Sequence, residues 1–376
     1  MKIRKRLLSK ALFCGCVALG ACSLEFASEQ REFGLSKTSV NMLAGSEESQ
    51  VQLLAELERL FGTPANPHFG ARENLSERAA IELNNRDYAS LRDSALLYGK
   101  KCLHCHGNEG GGDGATARTA RPFPRDFRFG VFKYNNLAEG AKPERSDLFA
   151  LIKNGIEGTG MPSLKQHSDS EINGLVDYVR FLSMRGEVEY LLAEEFEGGE
   201  TPDAETSDQE LAAVLDLWVE AQRTRVIAPI EVPEPSVASI RRGYGLFHDS
   251  TRANCAGCHG SNGTGRGSAA FGPSPVDPEK EVALLRDIWN HEALPANLQQ
   301  DKFRHGHEPK ELYELFYLGI NGTPMPGLGE ALGSDGKRAF DEDALWSLVH
   351  YVRALRDPVW SELMKEFQTL KASSVR

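Results

Sequence analysis

The sequence predicts an all-α chain folded as two tandem domains of one design, and three internal repeats carry that reading. Cys102-Leu103-His104-Cys105-His106 recurs as Cys255-Ala256-Gly257-Cys258-His259. Gly155-Ile156, Gly158-Thr159 and Met161-Pro162 recur as Gly319-Ile320, Gly322-Thr323 and Met325-Pro326, at a constant offset of 164 residues. Beyond each set lies an apolar stripe: Ile172, Leu175, Val176, Val179 and Leu182, then Leu345, Leu348, Val349, Val352 and Leu355, both at offsets 0, 3, 4, 7 and 10. That period belongs to a helix with one face turned to a core.

The five-residue repeat carries the chemistry. C-x-x-C-H is the attachment motif of a c-type haem: two cysteines form thioethers with the vinyl groups, and the histidine takes the proximal face of the iron. A zinc site or a thioredoxin-like thiol pair is the alternative for a single copy. Two copies, each followed by a matched Met-Pro, together with a leader for export, favour haem. A thioether sulfur is a soft ligand suited to the opposite face of iron, and Met/His ligation raises the reduction potential. Each half thus offers a proximal candidate, His106 or His259, and a distal one, Met161 or Met325.

C-x-x-C-H-G followed by G-T-x-M-P and then a helix resembles the class I c-type cytochromes, over roughly residues 86–185 and 236–356. The resemblance implies two cytochrome c-like domains, each wrapped around one covalently bound haem c held by Cys102, Cys105 and His106, or by Cys255, Cys258 and His259. It implies that the closing helix crosses the helix before the motif. It also implies a proline carbonyl that accepts a hydrogen bond from the proximal imidazole, with Pro122 or Pro124, and Pro273 or Pro275, as candidates.

In chain order, Met1–Lys10 is basic and precedes a short apolar run that ends in Leu19-Gly20-Ala21-Cys22. This reads as an export leader, residues 1–21, with a lipobox-like end that marks Cys22 for lipidation. Residues 22–85 then read as a lipid-anchored tether with one helix, Glu47–Leu60, carrying Val51, Leu54, Leu57 and Leu60 at helical spacing. The first domain spans 86–186 and opens with a helix that delivers Cys102. Residues 187–235 read as an acidic linker, because 187–210 holds ten acids and no base. Within it, Ser207 and Glu210 suggest the start of a helix running through Arg223, with Leu211, Leu215 and Trp218 on one side. The second domain spans 236–360, and 361–376 reads as a tail. Its motif-to-Met segment is 11 residues longer than that of the first domain, and Glu281–Glu292 is the expected added helix.

Composition narrows the function. The formal charge of −11 falls to −16 once the five basic residues of the leader are removed, which disfavours nucleic-acid binding. One basic, aromatic stretch, Arg118 to Lys133, is expected to cover the porphyrin with phenylalanines and to pair arginines with the propionates, rather than to form a partner-binding patch. Of seven cysteines, two lie in the leader, Cys22 takes lipid and four bind haem, so none remains for a disulfide. The expectation is an electron carrier on the periplasmic side of a bacterial membrane. It would work between a membrane respiratory complex and a periplasmic oxidoreductase, and associate with the membrane through lipid alone. A dihaem, peroxidase-like enzyme and an electron-accepting dehydrogenase subunit are the alternatives. An enzyme would need an open iron and a distal base, for which His167, His305 and His307 are the spare histidines.

Overall fold

A computed structural model describes residues 31–70, 75–77, 79–80, 88–133, 141–220, 228–229, 231–304, 306–332 and 336–373. The leader, Cys22, Arg223 and His305 lie outside the described residues.

Ser36 and Ser46 each accept a hydrogen bond from the backbone N–H three residues on, which starts α1 (Lys37–Met42) and α2 (Glu47–Phe61). Helix α2 matches the expected span, but its buried face is Leu53, Leu57, Leu60 and Phe61, while Val51 and Leu54 are exposed. Phe61 turns the helix: its ring packs at 5.7 Å from Phe69 and 5.6 Å from Phe181. Residues 31–46, expected as a tether, are instead part of the first core. Phe33 and Leu43 are buried, and the Ser36 N–H donates to Glu189 at 2.5 Å. A two-residue hairpin, β1 (Gly62–Thr63) with β2 (Asn66–Pro67), follows.

The repeat then appears twice. Helix α3 (Tyr88–Lys101) leads into the motif helix α4 (Leu103–His106), followed by α5 (Arg145–Asn154), α6 (Asp169–Glu197) and α7 (Ala204–Glu220). In the second half α8 (Val237–His248) leads into α9 (Cys255–His259). A hairpin of β3 (Phe271–Pro273) and β4 (Glu281–Ala283) follows, then α10 (Pro309–Leu318), α11 (Glu342–Ala354) and α12 (Pro358–Ser373). As the resemblance implied, α3 packs across α6 and α8 across α11. The crossings are tight: a Cβ on Gly174 would lie 2.3 Å from Ser94 Oγ, and one on Gly243 would lie 2.0 Å from the Ser347 carbonyl oxygen. The stripe of α6 is buried throughout, and so is that of α11 up to Val352, worth about 1.5–3 kcal/mol per fully buried aliphatic side chain. Ser168 with Glu171 forms a capping box on α6, and Asp341 caps α11.

The domain edges differ from the sequence reading. Helix α6 runs past residue 186 to Glu197, so the acidic stretch is not simply a solvated linker. Glu187 accepts hydrogen bonds from Lys142 Nζ and, at 2.8 Å, from Trp218 Nε1, and Glu189 pairs with Arg185 at 2.9 Å. These partners lie far apart in sequence, except Arg185, which sits one turn away. Helix α7 starts before Ser207, because Asp203 rather than Ser207 accepts the Thr206 N–H at 2.9 Å. Leu211, Leu215 and Trp218 join the first core, as expected of that face. The second core already includes Ala228, and α12, expected as a tail, contributes Met364 and Phe367 to it. Glu281–Glu292 forms no helix. Asp287 Oδ1 accepts the N–H groups of Trp289 (3.1 Å) and His291 (2.9 Å), and Asn290 adopts φ 61°, so the chain turns back on itself.

Candidate haem sites

The two motif helices are built alike. The chain after each histidine folds back over its own helix: Gly112 N–H donates to the His106 carbonyl at 2.9 Å, and Gly265 N–H to the His259 carbonyl at 2.7 Å. Gly114 N–H reaches the Cys105 carbonyl at 3.1 Å, and Gly267 N–H the Cys258 carbonyl at 2.9 Å. Gly112 and Gly265 have φ of 70° and 79°. A Cβ there would lie 2.5 Å from the Pro124 carbonyl oxygen, or 2.7 Å from that of Pro295. The glycine is therefore needed where the loop presses on the segment that faces the histidine.

That segment supplies the imidazole's partner. His106 Nδ1 donates to the Arg125 carbonyl at 3.2 Å, and His259 Nδ1 to the Ala296 carbonyl at 3.0 Å. None of the four candidate prolines is the acceptor; in both domains it is the residue after a proline, Pro124 or Pro295. In the second domain the hairpin insertion displaces that segment well beyond Pro275. Burial holds both imidazoles below the usual histidine range and so favours the neutral ring, only partly offset by the carbonyl bonds. With Nδ1 engaged, Nε2 is the nitrogen left for a metal, the outer-shell arrangement typical of ligating histidines.

The four motif cysteines are free and half-buried. Burial pushes the Cys102 thiol up to about 12 and the Cys255 thiol up to about 11. This is the reverse of a thioredoxin-like pair, which needs a lowered thiol. Among the described residues no group of three His, Cys, Asp or Glu side chains is placed to hold a metal ion. Thiols and a neutral, hydrogen-bonded imidazole, together on one short helix, fit covalent haem.

The Met-Pro loops match bond for bond. Thr159 Oγ1 donates to the Ile156 carbonyl (2.7 Å) and accepts the Met161 N–H (3.1 Å), while Ile156 N–H bonds the Met161 carbonyl (3.2 Å). Thr323 Oγ1 donates to the Ile320 carbonyl (2.8 Å) and accepts the Met325 N–H (3.2 Å), while Ile320 N–H bonds the Met325 carbonyl (3.1 Å). Met161 packs on the same core as Cys102 and Leu103, and Met325 is half-buried.

Other candidates fall elsewhere. Phe127 packs on His106 with ring centroids 5.4 Å apart. The cations beside it have protein partners: Arg128 pairs with Asp126 at 2.6 Å, and Arg125 and Lys133 reach Asp287 of the second domain at 2.8 and 3.0 Å. Arg125 and Lys133 thus join an interdomain junction that sequence alone could not reveal. His307 is exposed and faces Glu308, and His167 leans on Glu171 in the α6 capping box.

Two helical domains, each gathering a C-x-x-C-H helix and a Met-Pro loop, define a protein with two covalently bound haem c groups. The family profile described as cytochrome c oxidase, cbb3-type, subunit III, matches residues 89–179, and that described as cytochrome c matches residues 240–356. The chain belongs to the c-type cytochromes, as two tandem cytochrome c domains, and its chemistry is electron transfer. A solved component of the reducing HAO-like protein complex of Kuenenia stuttgartiensis is similar at 23% identity and a TM-score of 0.48, over 76% of this chain and 99% of that one. No curated protein matches the chain.

Proposed function

We propose that this chain is an exported, lipid-anchored dihaem carrier that passes single electrons between a membrane respiratory complex and a periplasmic redox protein. His106 and Met161 would be the axial ligands in the first domain, and His259 and Met325 in the second. Each haem, when bound, supplies a reversible one-electron iron couple. The chain's part is to saturate that iron, so that electrons pass but no substrate enters.

The observation that carries this reading is the pair of Met-Pro loops. One threonine hydroxyl bridges the same two backbone groups in each, at distances equal within 0.1 Å. A loop built identically twice, around a methionine each time, argues that both sites are closed in the same way. Of the spare histidines, the two among the described residues give the peroxidase-like alternative little support, since His307 is turned to solvent and His167 is tied to a helix cap.

The lipid anchor rests on Leu19–Cys22. No helix among the described residues is long and apolar enough to cross a membrane. Among the described residues Arg31 already holds the first domain, its Nη2 donating to the Ala95 carbonyl at 3.3 Å, so at most about 32 Å of extended chain would separate Cys22 from that contact. The first domain would then sit close to the membrane surface. A reductive titration tests the carrier reading: the holoprotein should take up two electrons per chain and return them to one-electron acceptors, with slow or no consumption of peroxide. Rapid peroxide turnover would replace it with the enzyme.

A further inference from the structure

The interdomain junction centres on one carboxylate. Asp287 lies in the hairpin insertion of the second domain, and its side chain is 1% exposed. Its Oδ1 organises its own loop through the N–H groups of Trp289 and His291. Its Oδ2 leaves the domain and accepts from Arg125 Nη1 (2.8 Å) and Lys133 Nζ (3.0 Å). The loop is fastened behind by the Ile288 N–H, which bonds the Gly322 carbonyl at 3.0 Å, in the loop that carries Met325. In front, the Arg125 guanidinium also lies over the Trp289 ring, 5.1 Å from its centroid.

Arg125 therefore has two tasks. Its side chain is gripped by the second domain, while its own carbonyl accepts the proton of His106 Nδ1. In the second domain the corresponding acceptor is Ala296, whose methyl side chain cannot form an ion pair. The asymmetry supplies an internal control.

We infer that Asp287 is a positioning residue for the first haem. By fixing Arg125 from the neighbouring domain, it fixes the carbonyl that orients His106, so the ligand environment of the first iron depends on the docking of the second domain. Outer-shell acceptors of this kind set the orientation and basicity of a ligating imidazole. The inference rests on the reading of His106 as an iron ligand.

The test uses the reduced, diamagnetic holoprotein and follows solvent exchange of the Nδ1 protons of His106 and His259 by NMR. Asp287→Asn and Arg125→Ala should each speed exchange at His106 by about tenfold, equivalent to about 1.4 kcal/mol of local protection. The double variant should go little further than either single one, because both remove the same interaction. His259 should not change. If Asp287→Asn yields too little holoprotein, Arg125→Ala, which leaves Asp287 paired with Lys133, carries the test together with Arg125→Gln. An unchanged His106 rate in either Asp287→Asn or Arg125→Ala, or equal acceleration at both histidines, would overturn the inference. Loss of covalent haem from the wild-type protein would instead sink the haem reading beneath it.

Discussion

Replacing Thr323 by valine keeps the shape of the Met325 loop and deletes its hydroxyl. Two hydrogen bonds go: the one donated to the Ile320 carbonyl at 2.8 Å and the one accepted from the Met325 N–H at 3.2 Å. At about 0.5–1.5 kcal/mol net each, the loop loses about 1–3 kcal/mol. The site is half-buried, so water can replace part of this, and the lower half of the range is expected. If Met325 ligates iron, that energy is taken from the closed, Met-bound state. The open state then gains roughly 5- to 30-fold in relative population. Titrating the ferric holoprotein with imidazole or cyanide reads this directly, because both ligands enter only the open form. One haem should bind the added ligand tighter by that factor and the other should be unchanged. Thr159→Val should reverse the roles. Unchanged affinity at both haems in both variants would refute the claim that these loops hold iron-bound methionines.

Glu189→Ala removes the counter-ion of the Arg185 guanidinium, which keeps the Gly34 carbonyl at 3.0 Å, in a core where the two side chains are 1% and 2% exposed, and should cost the first domain about 3–5 kcal/mol in denaturant unfolding. Glu189→Gln, which keeps an acceptor for the Ser36 N–H, should cost less; no loss in either variant would mean that the pair and residues 31–46 add nothing to stability. Cys22→Ser should leave both haems attached and release the protein from membranes, and membrane partition equal to wild type would show that something other than lipid holds it. Residues 228–376, exported alone, should mature with one haem. Residues 236–376 should be less stable, since they lack Ala228 and the Pro233 carbonyl that lies 3.1 Å from His350 Nε2. Equal stability would place the boundary back at 236.

What the sequence made legible was local. The C-x-x-C-H helices, the Thr-x-Met loops and the closing helices are short, self-contained patterns, and the closing helices carry caps at Ser168 and Asp341 with their apolar stripes buried as far as Val352. What it hid was long-range. The acids of 187–210 read as a solvated linker, because Lys142 and Trp218, which bury Glu187, lie tens of residues away. The pairing of Arg125 and Lys133 with Asp287 was likewise hidden, because nothing in the chain marks that carboxylate as theirs. The proline expectation missed by one residue in the first domain, where Arg125 follows Pro124. It missed by a whole insertion in the second, although both acceptors directly follow a proline. Val51 and Leu54 fit helical spacing yet face solvent, because Phe61 claims the buried side of α2.

Axial ligation is tested most directly by electron paramagnetic resonance of the ferric wild-type holoprotein, read beside the weak red absorption of a Met–iron bond. Two low-spin haems with that band are the expected result. In Met325→Ala or Met161→Ala, one haem should become high-spin and the band should fall by about half, while the other haem stays as it was. A wild-type spectrum with one high-spin or bis-histidine haem, accompanied by peroxide turnover, would contradict it.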